Sequence, residues 1–332
     1  MSSTGQSLTF YNHFLSKNNC MKNFHILIVL LLSIAFLSSC GGKKEVKNEN
    51  TTTSGYIKIA VDQTMQKVIQ NEIDVFEGLY PAKIEPIYTT ETEAIELLKK
   101  DSVRLIVTAR KLTEGEMIFF EEKKFQPKNV RIAIDGIALI IHPQNPDSII
   151  NVENVKKILT GEYTKWSEIY PGSKLGKIQV VFDNTKSSTV RYAIDSICRD
   201  KPISQNLSAL ELNEEVVDYV SKSPAALGFI GVNLISDDAD TTAIDFTKKI
   251  QVMRVSREDK ADRYNSVQPY QYYIYTHQYP FVRDIYFIVN DPRGELPRGF
   301  SRFVASDKGQ RIIKRSGLLP STMPISTVHI KD

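Results

Sequence analysis

From residue 56 onward, stretches in which apolar and polar residues alternate every second position keep giving way to stretches with helical periodicity. Residues 56–61 (YIKIAV) read as a strand. Asp62 can then cap a helix that sets Met65, Val68, Ile69, Ile73 and Phe76 on one face and ends at Gly78. A strand over 83–88, a helix starting at Thr90 or Thr92, a strand over 103–108, a helix over 112–124 and a long apolar strand over 132–141 follow. The second half repeats the rhythm: a helix over 152–160, a strand over 178–182, helices over 189–199 and 214–221, and a short strand over 227–230. A β-rich stretch at 250–255, an aromatic segment at 270–279, a strand over 286–289 and one amphipathic helix over 299–316 complete the chain. Strand–helix alternation of this kind predicts an α/β sheet protein with parallel strands. No internal repeat is visible.

Length and composition narrow the class. The chain has 332 residues, 42% hydrophobic and 24% charged, enough for about two compact domains. Lys and Arg number 42 against 39 Asp and Glu. Two of those lysines, Lys17 and Lys22, lie in the first 39 residues, which carry no acid, so the body is near neutral and lacks the basic field a nucleic-acid binder needs. Cys20, Cys40 and Cys198 are the only cysteines, which excludes a disulfide-stapled scaffold. Cys198 shares a helix face with Val190, Ile194 and Ile197 and reads as a core residue.

The first forty residues read as an address. Residues 26–37 (ILIVLLLSIAFL) form an apolar run about 18 Å long as a helix, short of the roughly 30 Å that a transmembrane span must cross. A basic start at Met21-Lys22 and small residues after the run complete an export signal. Leu37-Ser38-Ser39-Cys40-Gly41 resembles the lipobox of bacterial lipoproteins, which implies lipidation of Cys40 and removal of a leader at 1–39. Translation is expected to start at Met21, and 40–55 to form a polar tether.

The chemistry on offer is ligand binding rather than catalysis. Walker A, G-x-S-x-G, H-E-x-x-H and C-x-x-C motifs are missing, and the five histidines are scattered, so no enzyme, metal site or cofactor is expected. His142, before Pro143, reads as a turn residue. Three strand-to-helix turns are instead rich in hydroxyls: Asp62-Gln63-Thr64, Thr89-Thr90-Glu91-Thr92, and Thr185-Lys186-Ser187-Ser188-Thr189. Helix starts present free N–H groups and favour anions, and open α/β sheets bind ligands beyond the carboxyl ends of their strands.

Several segments carry a family resemblance. Residues 132–146 (IAIDGIALIIHPQNP), 155–166 (VKKILTGEYTKW) and 225–229 (AALGF) belong to it. So do Tyr279-Pro280-Phe281, then Phe300, Phe303, Gly309-Gln310 and Gly317-Leu318-Leu319-Pro320. Together they resemble, in order, the phosphate-binding proteins of bacterial ABC transporters. The resemblance implies an α/β, two-lobed type 2 periplasmic binding protein with two crossover strands. Lobe 1 would comprise 56–135 plus 281–332, and lobe 2 residues 136–280. It further implies capture of phosphate or a related oxyanion, and a permease and ATPase as membrane partners. The protein would be a monomeric lipoprotein of the cell envelope, facing the periplasm or the outer surface. Ligand residues carried over by position are Gln63, Thr64, Thr89, Thr90, Ser187, Ser188 and Thr189, with Arg110 matching the family's Ser-Arg position. The family's ligand arginine falls, by spacing, on Asp183, which leaves Arg104, Lys186 and Arg191 as candidates to replace it. That departure keeps open a sensor or scaffold of a membrane complex, or a different small ligand.

Overall fold

The computed structural model describes residues 50–237 and 245–322. The leader at 1–39, Cys40 and tether residues 41–49 lie outside the described residues. β1 (Gly55–Asp62) passes through a 3-10 turn at Gln63–Met65 into α1 (Gln66–Leu79), and Asp62 caps that turn as its position predicts. β2 (Ala82–Thr89), α2 (Glu91–Lys99), β3 (Leu105–Thr108) and α3 (Glu114–Glu122) follow, the two helices capped by Thr90 and Thr113. β4 (Lys128–Ile141) leads to β5 (Ile149–Asn151), α4 (Val152–Thr160), β6 (Gln179–Phe182), α5 (Ser188–Tyr192), β7 (Ser208–Ala209), α6 (Asn213–Val220) and β8 (Ala226–Gly231). β9 (Ser236–Asp237), β10 (Asp245–Phe246), β11 (Gln251–Val252), β12 (Arg254–Ser256) and β13 (Ser266–Val267) are short. The aromatic segment forms α7 (Gln271–Tyr275), and β14 (Val282–Val289), α8 (Leu296–Val304), α9 (Asp307–Arg315) and β15 (Leu319–Pro320) close the fold.

One sheet of ten strands runs in the order β2-β1-β3-β14-β4-β8-β6-β7, with β11 and β15 also paired to β4. The outer strands are parallel to their neighbours, as the alternation predicts. β14 and β4 are antiparallel because they carry the chain between the two halves instead of returning through a crossover helix. β4 belongs to both halves: 128–136 pair with β14, and 137–141 pair with β8. Its unbroken apolar run, Ile137 to Ile141, is completely buried because helices cover both faces of the sheet there. Each half has a core on either side of the sheet. Phe76, Phe287 and Phe300 anchor one face of the first half, and Ile95, Leu98 and Phe120 the other. Trp166, Phe182 and Phe229 anchor one face of the second half, and Val216, Val220 and Ile230 the other.

Two expectations change. The helix expected over 299–316 is two helices, α8 and α9, broken at Ala305-Ser306. Ser306 turns extended and its hydroxyl donates to the Phe303 carbonyl at 2.6 Å, the local competition with helix that serine offers. α9 then folds back so tightly that a Cβ on Gly309 would lie 2.5 Å from Val304 Cα. The helix expected over 189–199 starts as α5 but continues as a π-helix through Ala193–Cys198. Cys198 is free and buried, and His142 Nδ1 accepts from the Gln144 N–H at 3.1 Å, the turn role expected of it.

Glu72, on α1, is fully buried and neither carboxyl oxygen has a hydrogen-bond partner; burial pushes its pKa up to about 9. A group raised in the folded state stabilises most at low pH. Stability is therefore expected to fall by about 1.4 kcal/mol per pH unit as pH rises through 6 and 7. Denaturant unfolding at pH 6 and 7 should show that slope, and Glu72→Gln should flatten it.

Candidate functional site

The ends of β1 and β6 and the two central strands bring one polar cluster together in the interior. Its centre is Arg283 of β14, whose side chain is 2% exposed. Register places Arg283 directly across from Asp135 of β4. Its Nε and Nη2 lie 3.0 and 2.9 Å from Asp135 Oδ2, and the Val232 N–H satisfies Asp135 Oδ1 at 3.1 Å. The guanidinium also donates through Nη1 to Ser188 Oγ at 2.8 Å and through Nη2 to Thr64 Oγ1 at 3.3 Å. These two hydroxyls lie 3.2 Å apart, although 124 residues separate them in sequence. Thr64 follows β1 in the first half, and Ser188 opens α5 in the second. Asn233 reaches across as well, donating to the Thr64 carbonyl at 3.0 Å.

Gly231 leaves room for this arrangement. A Cβ there would lie 2.9 Å from Asp135 Oδ2 and 3.3 Å from Arg283 Nη2. The ion pair and the close backbone approach exclude a side chain at that position.

The cluster is electrostatically mixed. Asp62 Oδ1 accepts from the Thr64 N–H and hydroxyl, both at 2.9 Å, while its Oδ2 is buried without a partner. Asp183 accepts from the Ser187 hydroxyl at 2.5 Å and from that of Thr189 at 3.5 Å. Burial pushes the Asp183 carboxyl up to about 6, against the Ser187 hydrogen bond. Burial also raises Asp135, opposed by Arg283. Burial works to lower Arg283, but Asp135, Asp62 and Asp183 outweigh it, so the guanidinium stays charged. The Thr64 and Ser187 hydroxyl protons are thus directed at carboxylates, whereas Ser188 Oγ accepts from Arg283 and turns its own proton toward Thr64 Oγ1. Gln63 Nε2 is a buried donor without a partner. The site therefore offers one free donor, on Gln63, and one free acceptor, on Asp62.

Of the residues expected from sequence, the structure brings together Thr64, Asp183, Ser187, Ser188 and Thr189, all buried, with Gln63 beside them. The second turn behaves differently. The Thr89 hydroxyl donates to Glu93, and Thr90 Oγ1 accepts the Glu93 N–H as the cap of α2. Arg110 forks onto Glu116 at 2.7 and 2.9 Å and lies 3.2 Å from Glu91. Among the described bonds, none joins Thr89, Thr90 or Arg110 to the Arg283 cluster.

Nor do the three candidate replacement cations sit on that cluster. Arg104 pairs with Asp101, Lys186 is exposed, and Arg191 pairs with Glu91 at 2.6 Å. The buried cation is Arg283, which the sequence reading missed. Its signal is an arginine, followed by Asp284, at the start of a strand that is apolar from Ile285 onward. The strand expected over 286–289 begins at Val282 and so includes Arg283.

Most of the other motif residues turn out to be structural. Trp166 Nε1 donates to the Ala225 carbonyl at 3.0 Å, and the Tyr279 hydroxyl to the Ile137 carbonyl at 2.7 Å. Gln310 Nε2 donates to the Ile132 and Val304 carbonyls at 3.0 and 2.9 Å.

Comparison with known proteins is consistent with this geometry. A family model described as a PBP superfamily domain matches residues 46–308. The phosphate-binding protein PstS of Pseudomonas aeruginosa is 21% identical over 293 residues, covering 84% of this chain and 87% of the relative. A Clostridium perfringens protein solved with bound phosphate superposes with a TM-score of 0.66 at 20% identity, over 80% of this chain and 99% of the other. An ABC-type phosphate transport receptor from Vibrio cholerae gives 0.61 at 20% identity, over 80% and 100%. At these identities the structural likeness establishes the fold: two lobes of the type 2 periplasmic kind.

Proposed function

The chain belongs to the PBP superfamily, and from that premise we propose that it captures phosphate, or a closely related oxyanion, between its two lobes and delivers it to an ABC-type permease and ATPase. One observation carries the reading: hydroxyls from both halves, Thr64 and Ser188, meet 3.2 Å apart on the buried guanidinium of Arg283. A charged, planar fork beside hydroxyl groups suits a tetrahedral oxyanion. The carboxylates suit one that carries its own protons. Hydrogen phosphate presents both acceptor oxygens and O–H donors, matching the free donor of Gln63 and the free acceptor of Asp62.

The lobes in this reading are 56–135 plus 281–332 and 136–280, with β4 and β14 as the hinge strands. Gln63, Thr64, Asp183, Ser187, Ser188 and Thr189 line the guest. Thr89 and Thr90 shape the second turn, and Arg110 fixes the end of β3 through Glu91 and Glu116. Capture needs no bond-making, so the protein acts as a binding protein rather than an enzyme and uses no cofactor. It would work as a monomer, exported and anchored through a lipid on Cys40. No described helix is long and apolar enough to cross a membrane.

Isothermal titration of the protein with phosphate should give a saturable heat. Ser188→Asp places a fourth carboxylate beside Arg283 and should remove it. Absence of heat from the unmodified protein at millimolar phosphate would overturn the reading in favour of a sensor or scaffold.

A further inference from the structure

A second cross-lobe contact lies at a distance from the hydroxyl cluster. Glu91, the first residue of α2, is 2% exposed and gathers donors from both halves of the molecule. From its own half it takes the Ala109 N–H at 2.8 Å and Arg110 Nε at 3.2 Å. From the other half Arg191 donates its Nε to Oε1 at 2.6 Å and its Nη2 to Oε2 at 3.4 Å, while the same Nη2 reaches the Ala109 carbonyl at 3.2 Å. Arg191 stands on α5, three residues beyond Ser188. The contact therefore holds the hydroxyl-bearing start of α5 against the half that carries Thr64.

Each side also has a partner of its own to fall back on. Without Arg191, Glu91 retains the Ala109 N–H and Arg110, and Arg110 remains anchored on Glu116. Without Glu91, the 28%-exposed Arg191 retains Asp195, four residues on, at 3.4 Å. Parting the halves would therefore not strand a buried charge, the usual penalty for breaking such a pair. Two discrete, satisfied arrangements are what a switching contact requires.

We infer that Glu91 and Arg191 form an ionic latch, a pair of positioning residues that holds α5 closed over the bound anion and sets how long the anion stays. The inference deepens the oxyanion-trap reading and rests on it for the residence time. Removing the latch raises the release rate and leaves association little changed, since a buried charge pair acts mainly on dissociation.

The test compares the full chain with Arg191→Gln and with Arg191→Lys, which restores the charge. Two measurements are made. Stopped-flow phosphate release should be about tenfold faster in Arg191→Gln and intermediate in Arg191→Lys. Hydrogen exchange, run without phosphate, should speed up in peptides holding Gln63–Met65 and Ser188–Tyr192 while the thermal midpoint holds steady. A purely structural role for Arg191 would not reach Gln63–Met65 in the other half. Unchanged exchange in both peptides overturns the latch. If the unmodified protein binds no phosphate, the oxyanion reading falls, and the exchange experiment alone decides the latch.

Discussion

Arg283→Lys is expected to weaken phosphate binding by about a hundredfold, because a single ammonium cannot replace a fork that meets Asp135, Ser188 and Thr64 together. Each charge-assisted hydrogen bond contributes about 1.5–3 kcal/mol. Loss of one or two gives that factor, at about 1.4 kcal/mol per tenfold. Lysine retains the positive charge, so Asp135 is not left facing an apolar side chain and the protein should stay folded. Titration calorimetry reads the change. An affinity within twofold of the unmodified protein would mean that Arg283 serves the strands and not the guest.

Asp135→Ala should cost about 3–5 kcal/mol of folding stability, the usual penalty when one member of a buried ion pair is removed. Arg283 would keep its charge with its closest counterion gone, and the Val232 N–H would lose its acceptor. Asp183 and Asp62 also act on the guanidinium, so the lower part of that range is expected. The double variant Asp135→Leu/Arg283→Met removes both charges from a fully enclosed position and should recover most of the loss. Urea unfolding of both variants and the unmodified protein measures this. A double variant that is stable yet silent toward phosphate would separate the pair's contribution to binding from its contribution to folding. A single variant as stable as the unmodified protein would contradict the assignment.

The sheet and its helices were legible in the sequence because burial writes a period into it. Strands over 56–61 and 178–182 and the helix over 152–160 match the structure to within a residue at either end. Caps were equally readable, since Asp62 and Thr90 bond to the next turn as their positions imply. The break between α8 and α9 was not, because both helices keep an apolar face and only the backbone at Ala305-Ser306 changes. The site was half legible. Two of three hydroxyl-rich turns converge, and local sequence shows that a turn can bind but not where it points. Arg283 depends on strand register across 148 residues, which no local pattern encodes. Its identification explains how a carboxylate can stand where the resemblance leads one to expect a guanidinium. In this chain the buried positive charge beside the Ser187–Ser188 turn comes from the strand across from Asp135.

That placement has a mechanical corollary. β4 is common to both half-sheets, so any swing of one half must be taken up as torsion near the point where its partner changes from β14 to β8, between Gly136 and Ile137. Asp135 and Arg283 sit at that joint. The charge that would greet an incoming guest is thus mounted on the axle rather than on either jaw, and would stay in place however far the jaws travel.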